Sequence, residues 1–496
     1  MIPDDMLSMR SFKTVLVLLA GFVAWRIIYA LFLSPLRRIP GPLLSKVTYK
    51  WLLLVELAGK RTRTVAALHD QYGPVVQLSP DEISFNAIDV VDQIYGQNTD
   101  FAKAQWYKRM TRGGVFNETD ISIHRHKRRM LNHVFAQSSV NDMEPTIRHE
   151  MRKLLDRIEE RRQKEPIDMR HWLRMLAFDV STMVFFGQAA GGLDSHQIPQ
   201  YVKDLDNAFL IWDLRGRFPT MSWLFAKLPL KSVQFFFQSD DRIYEYGAER
   251  FQQYIDKYGR TSQRKDLLTK LIRKEPGQDD GLTDEQISGE IANLTFAATD
   301  TAALTLLYLF WELAQMPELQ QQLRNELSAV PMHNGIPEHK HLWNLPLLNA
   351  VINETLRKHS PVVMGLLREV PPGGREMEGY FIPGKTVVSM PSYTAHRDPE
   401  VFPEPEAFKP SRWLETNGGT EEMRKLFMPF TKGTRQCLGQ SMAIFEMRII
   451  IATFIKNYVL GISRKTRPED MDFVDYFLMI PKGEHIWFDL ASAENA

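Results

Sequence analysis

The chain has 496 residues, 61 basic and 60 acidic side chains, a formal net charge of +1 and 44% apolar residues. That balance gives no electrostatic basis for binding nucleic acid, and the apolar share is enough for a large core. Its single cysteine excludes an intrachain disulfide and any site built on several thiolates. No repeat, low-complexity tract or Gly/Ser linker divides it, so length admits either several domains or one large domain around a buried cofactor. No G-x-G-x-x-G fingerprint is present, so any electrons are expected from another protein.

The first element is an apolar run from Thr14 to Leu33, broken only by Arg26 and a few small residues. About 20 residues make a helix of roughly 30 Å, enough to cross a bilayer. It is too long for a cleaved signal peptide, and no small-x-small cleavage site follows. Ser34-Pro35-Leu36-Arg37-Arg38-Ile39-Pro40-Gly41-Pro42 comes next, a stiff basic hinge. Arg37 and Arg38 favour a cytoplasmic C-terminal side, although Arg10 and Lys13 reduce the asymmetry. Arg26 is expected to snorkel from near the end of the span. The expected division is an anchor segment over 1–34 and a catalytic domain over 35–496. Sequons occur at Asn117, Asn293 and Asn353. A cytoplasmic domain makes them chance matches.

His124-Arg125-His126-Lys127-Arg128-Arg129 reads as a basic helical run in which His124 and Arg128, four apart, share a face. The other face, Arg125, Lys127 and Arg129, suits an acidic electron donor or plain solvent. Thr283 to about Met316 is a long helical pattern, opened by a Thr283/Gln286 capping box and closed by Pro317. Ala297-Ala298-Thr299-Asp300-Thr301 in its middle sets an acid and alcohols among small apolar residues. Without further context, a threonine bonded one turn back and an exposed aspartate account for it.

Glu354-Thr355-Leu356-Arg357 is an E-x-x-R in an apolar, buried-looking helix. Such a pair survives burial only when fully hydrogen-bonded. Gly379 to Thr386 alternates and turns like a small sheet, and helical patterns dominate elsewhere. The expected class is mainly α with a minor β portion.

The most informative stretch is Phe430-Thr431-Lys432-Gly433-Thr434-Arg435-Gln436-Cys437-Leu438-Gly439. Gly433 can take a positive φ and bring the backbone close to a flat cofactor. Arg435 can pair with a carboxylate. Leu438 is expected to begin a helix, so that Cys437 meets its positive end and the thiolate is favoured. Gly439 leaves space where helix and cofactor would crowd. An inert thiol, a nucleophile and a metal-ligating thiolate are all open to a lone cysteine. A haem iron held by the thiolate, with arginines at the propionates, fits the most features.

The stretch resembles the haem signature of the cytochrome P-450 family, F-x-x-G-x-R-x-C-x-G, at every fixed position. The resemblance implies that Cys437 is the iron ligand, with Phe430, Gly433, Arg435 and Gly439 around the haem b. It extends over nearly the whole chain. Ala297-Ala298-Thr299-Asp300-Thr301 is similar to the family's [AG]-G-x-[DE]-T-[TS], which implies that Asp300 and Thr301 are the catalytic acid–alcohol pair delivering protons. Ala298 and Ala302 depart from that pattern. His124 stands where the family's W-x-x-x-R has tryptophan, and Arg128 matches its arginine; both are expected at a propionate, as is Arg368. Arg412 in Phe408-Lys409-Pro410-Ser411-Arg412-Trp413 is expected to join Glu354 and Arg357 in a buried triad.

Hinge and motif forms look like fungal microsomal members of the family. The implied protein is a P-450 fold with an N-terminal transmembrane helix, single-pass in the endoplasmic reticulum membrane. The implied reaction is oxidation of a lipophilic small molecule, a secondary metabolite, with O2 and electrons from NADPH-cytochrome P-450 reductase. A haem-thiolate isomerase or dehydratase that uses no external O2 is the competing enzyme class, and a non-enzymatic haem sensor the competing binder. Pocket walls are expected around Phe116, Phe209 to Trp212, Val362 to Leu367 and Phe477 to Met479, and the Phe209–Leu230 region reads equally as a bilayer-facing mouth or as ordinary core packing.

Overall fold

A computed structural model describes residues 4–195, 197–261, 264, 266–272 and 282–493, with side chains from residue 13 onward. The expectation that rests on Arg10 lies outside those described side chains. Helices dominate, and the strands are short.

The central helix, Asp284–Ala314, runs 31 residues, about 46 Å at 1.5 Å per residue. Thr283 and Gln286 form the capping box that starts it. Most of its side chains are buried on all sides, as expected of a helix threaded through a core rather than laid on one. Met169–Phe186 and Ser239–Tyr258 pack along it, and Gln440–Asn457 and Pro346–Lys358 cross it. One apolar cluster surrounds this assembly.

A second core lies under a five-stranded sheet ordered Val75–Ser79, Glu82–Phe85, Val387–Ser389, Arg368–Glu369 and Ala102–Lys103. Its last pairing, Ala102 opposite Glu369 and Lys103 opposite Arg368, brings two distant basic residues side by side. Tyr458–Ile462, Trp487–Ser492 and Ile167–Asp168 form a second sheet. Arg375–Met377 and Tyr380–Ile382 pair as a hairpin whose second strand alone falls in the stretch that alternates in sequence.

The N-terminal helix, Asp4–Ile28, continues through a wider turn at Tyr29–Leu33. Lys13–Leu33 is long and apolar enough to cross a membrane and stands almost wholly exposed. Arg26 does not simply snorkel: its Nη2 donates to Val47 O at 3.1 Å, tying the helix to the first turn after the hinge. Asp284–Ala314 is also long and apolar but buried, which marks it as core. The Phe209–Leu230 region divides. Phe209, Ile211 and Trp212 are core, whereas Trp223, Leu224, Phe225, Leu228 and Leu230 are exposed.

Candidate functional site

Cys437 lies between a short turn, Gly433–Arg435, and the helix Gln440–Asn457. The helix starts at Gln440 with Gly439 as its cap, two residues later than expected from Leu438. The Cys437 side chain is exposed although densely surrounded by protein. Burial raises its pKa; the Gly439 and Gln440 amides and the Arg128 charge act the other way. The helix terminus therefore favours thiolate as expected, but desolvation outweighs it in the chain by itself.

Gly433 has φ +62°. A Cβ there would lie 2.3 Å from Gly96 O and 2.4 Å from Tyr95 O. The glycine is thus required by the backbone of a neighbouring turn, a different reason from the close cofactor approach expected. At Gly439 a Cβ would meet only the Cys437 Sγ, at 4.0 Å. The loop is closed by Cys437 N donating to Phe430 O at 3.0 Å, and Phe430 packs against the main core.

Four cations converge near this loop. Arg128 donates to Gln436 O, Arg435 to Glu118 O at 2.6 Å, Arg368 to Leu367 O at 3.1 Å and Lys103 to Phe116 O. All these acceptors are neutral carbonyls, and among the described residues none of the four forms an ion pair. The nearby Glu118 carboxylate is taken by Lys127 at 2.9 Å. The electrostatic cost is visible. Burial and then the neighbouring arginines push Lys103 well below its ordinary pKa, and burial and then Arg368 bring Arg435 down to about 10. His124, 3% exposed, is pushed to about 2 by burial and then by Arg435, Lys103, Arg128 and Arg368. It is a neutral imidazole. Arg368 stacks over the Tyr95 ring at 5.2 Å, is 1% exposed, and leaves its Nε without a partner.

A site that needs two carboxylates would complete this set: unmatched cations, an unpaired buried guanidinium N–H and a sulfur at a helix N-terminus. The residues present therefore fit haem, which carries two propionates and an iron that takes a thiolate. Sequence reasoning missed Lys103. No motif marks it, and only its pairing with the Arg368 strand brings it in.

The central helix presents Asp300 and Thr301 differently. Asp300 is buried and paired with Arg174, Oδ1 to Nε at 2.6 Å and Oδ2 to Nη2 at 3.1 Å; it is not an exposed aspartate. Arg174 also reaches Asp206. Thr301 is less buried than its neighbours, and its hydroxyl donates to Ala297 O at 2.6 Å, the one-turn-back bond.

Glu354, Arg357 and Arg412 lie together beyond the cysteine loop. Glu354 and Arg357 are fully buried and doubly bonded, at 2.8 and 2.9 Å; Arg412 Nε donates to Glu354 Oε1 at 3.1 Å. Arg357 also donates to the carbonyls of His396, Pro405 and Ala407, and Arg412 to those of Pro403 and Glu404. Trp413 Nε1 and the Lys409 amide complete the Glu354 carboxylate. His396, unmarked in the sequence, connects this cluster to the cysteine loop. Burial and then Arg357 push it down to about 3, so it is neutral. Its Nε2 accepts from Met428 N at 2.9 Å, which leaves Nδ1–H to donate to Arg357 O at 3.1 Å.

Asn117 and Asn293 are buried, the latter holding the 112–113 backbone, so glycans there are incompatible with this fold. Of the basic run, Arg125 and Arg129 are exposed, whereas Lys127 is spent on Glu118.

Comparison with known proteins agrees with this architecture. Residues 40–488 match the family described as Cytochrome P450, and the chain belongs to that family. It is similar to the cytochrome P450 monooxygenase orf2 of Aspergillus niger, 31% identical with 93% of this chain and 94% of the relative covered. The cytochrome P450 monooxygenase tazI of Aspergillus terreus is also 31% identical, over 97% and 99% of the two chains. The cytochrome P450 monooxygenase aflV of Aspergillus parasiticus is 28% identical over 91% of each. The family is one of haem-thiolate enzymes, and the chain is an oxygen-incorporating oxidoreductase that uses haem b, a redox partner and a small-molecule substrate.

Proposed function

We propose that Cys437 holds the haem iron and that Arg128, Arg368 and Arg435, with Lys103, bind the propionates. Bound haem supplies oxygen activation and transfer to a C–H bond of the substrate. The observation that carries this assignment is the set of two buried and two half-buried cations bonded only to carbonyls around the lone cysteine. His124, neutral, offers one N–H to a propionate in place of the family's tryptophan. Phe430, Gly433 and Gly439 shape the loop that aims the sulfur. Glu354, Arg357 and Arg412 hold that loop from behind, through His396.

The Thr301 hydroxyl, which here donates to Ala297 O, would be the group that hands a proton to the oxygen and takes one back from the water and acid behind it. Asp300 is the charged group next in line, and its pairing with Arg174 holds it in place. The substrate is a lipophilic secondary metabolite; Phe116, Phe209, Val362 and Phe477 come from the stretches expected to contact it. Electrons come from an NADPH-cytochrome P-450 reductase, which docks on the face carrying Arg125 and Arg129. Residues 1–34 anchor the chain, single-pass, in the endoplasmic reticulum membrane, with residues 35–496 as a cytoplasmic haem domain. The exposed apolar side chains of Lys13–Leu33 support this placement.

Two assays test the reading. Full-length protein with the reductase should oxidise NADPH fast only when a lipophilic substrate is present and should give an oxygenated product; turnover without O2 would favour the isomerase class. Removing residues 1–33 should release most of the protein from membranes with haem retained; full retention in membranes would place the anchor elsewhere.

A further inference from the structure

The fully buried carboxylate of Asp240 joins three segments that are separated in sequence. It lies in the first turn of Ser239–Tyr258. Its Oδ1 accepts from Trp212 Nε1 at 2.5 Å and its Oδ2 from Arg215 at 2.7 Å, both on Gln200–Arg217. Arg112 Nη2 reaches the same Oδ2 at 2.8 Å, from the loop 111–119 that follows Trp106–Met110. One side chain thus fastens two helices to each other, and the pair to a loop.

Arg112 is gripped more fully than one ion pair requires. It also pairs with Asp241, its Cζ stands 5.3 Å from the centre of the Tyr244 ring, and its backbone N–H donates to Tyr244 Oη at 2.8 Å. All three partners lie in the first two turns of Ser239–Tyr258. The loop backbone itself belongs to the central helix. Asn293 donates to Arg112 O and to Gly113 O, both at 3.3 Å, and Glu290 accepts from Val115 N at 2.8 Å. Tyr244 Oη in turn donates to Asn293 Oδ1 at 2.9 Å. The loop is therefore fixed to the central helix, and the charged link from loop to helix pair is the Arg112 side chain.

This junction closes over the site. Trp212, whose N–H Asp240 holds, is fully buried with its ring 4.7 Å from that of Phe296, five residues before Thr301. Phe116 of the loop meets the same Phe296 at 6.4 Å. Helix pair and loop so cover one stretch of the central helix, and a bulky ligand bound for that stretch has to part them. The bonds at the junction survive parting. The Arg112 side chain is 48% exposed and regains water when it lets go, whereas Arg357 in the Glu354 cluster has no exposure at all. Asp240 keeps Trp212 and Arg215, so its charge is never left bare.

We infer that Arg112 and Asp240 are the latch of a gate. Gln200–Arg217 and Ser239–Tyr258 swing as one body, and bulky ligands pass when Arg112 releases it. Trp212 and Arg215 make the two helices a unit, and Arg112 is the partner of Asp240 that crosses to the loop. Ligands small enough to slip past need no release. Arg112 is a positioning residue, acting through the helices and not on the reacting atoms. The kinetic test of this latch rests on haem bound at Cys437.

The test uses purified, haem-loaded full-length protein and follows the absorbance shift of ferric haem on rapid mixing with imidazole or with N-tritylimidazole, a far larger body on the same ring. Arg112→Gln should raise the association and dissociation rates of N-tritylimidazole about fivefold each, with affinity held within about twofold, as loss of one charged contact with a half-exposed donor implies. The rates for imidazole should stay within about twofold, since it needs no opening. Arg112→Lys keeps a cation for Asp240 and should restore most of the slow entry. Unchanged rates for N-tritylimidazole, equal acceleration of both ligands, or weaker binding with association unchanged would overturn the inference. Should Arg112→Gln fail to hold haem, Asp240→Asn weakens the same pair, and hydrogen exchange reads either variant without haem. Residues 200–217 and 239–247 should exchange faster together, while 440–457 do not change. Faster exchange in neither helix, in one of them alone, or throughout the chain would overturn the inference. A wild type without the thiolate-type carbon monoxide spectrum would instead overturn the haem placement, and the exchange test would still decide the latch.

Discussion

Two of the regions that hold arginines inside the fold treat them in opposite ways. Around Glu354, both guanidiniums share one carboxylate and each also bonds backbone carbonyls, so every charge has an oppositely charged partner although the cluster stays net positive. Around Cys437, Arg128, Arg368 and Arg435 sit with Lys103 and have carbonyls alone. Buried charge that is paired serves the fold; buried charge left unmatched costs the fold stability and points to a ligand of opposite sign. The contrast separates scaffold from site without reference to any motif.

Mutation can break the comparison, most severely on the scaffold side. Glu354→Ala leaves two guanidiniums without a carboxylate, and Arg357→Ala removes the doubly bonded partner of Glu354 and opens a cavity; each costs about 3–5 kcal/mol. Expression should yield little folded protein and little haem; normal haem content in both variants would mean the cluster is not structural. Arg435→Gln should behave differently. It relieves repulsion within the cation group, so the melting temperature of haem-free protein should hold or rise. It removes a charge-assisted bond to the ligand, so haem transfer to a competing apoprotein should quicken about 10–100-fold. Equal destabilisation of the haem-free forms of the Arg435 and Arg357 variants would erase the distinction.

Thr301→Ala tests a subtler asymmetry on the central helix, where Asp300 is clamped by Arg174 while the Thr301 hydroxyl has only one carbonyl to leave. Proton delivery by a placed group is worth about 10²–10⁴-fold, and water recovers part of it in an open pocket. Product formed per NADPH should fall about tenfold or less, with hydrogen peroxide rising, while NADPH oxidation continues. Ala302 offers no substitute hydroxyl. Unchanged coupling would remove Thr301 from the mechanism.

The smallest effect concerns Glu290, a buried carboxyl with one oxygen bonded to Val115 N and the other without a partner. Burial raises its pKa from 4.5 to about 7. Between those values the folded chain keeps a proton that the unfolded chain has lost, so stability falls as pH rises through this window and levels off above it. Glu290→Gln should flatten this slope, gaining melting temperature relative to wild type at pH 8 but not at pH 4. A constant difference across that range would show that the carboxyl does not titrate as described.

What the sequence discloses follows from range. The central helix, its capping box and the N-terminal apolar run are set by local pattern, and all three lie where periodicity and composition place them. The cysteine loop is equally local, although its helix starts at Gln440 and its glycine is forced by Gly96, a turn more than 300 residues earlier. Lys103, Arg174, His396 and Trp413 escaped because each becomes significant only through a partner brought from elsewhere in the chain. Lys103 needs the Arg368 strand, Arg174 needs Asp300, and His396 needs Met428. A lysine on a two-residue strand carries no periodic signal at all.

The central claim is that Cys437 is the ligand around which the unmatched cations assemble, and the carbon monoxide complex of the reduced protein tests it most directly. Wild type should show the red-shifted Soret band of a thiolate-bound haem. Cys437→Ser should lack it, since a serine oxygen is a harder donor and cannot supply the same electron density. A thiolate-type band that persists in Cys437→Ser, or one that is absent from haem-loaded wild type, would contradict the account.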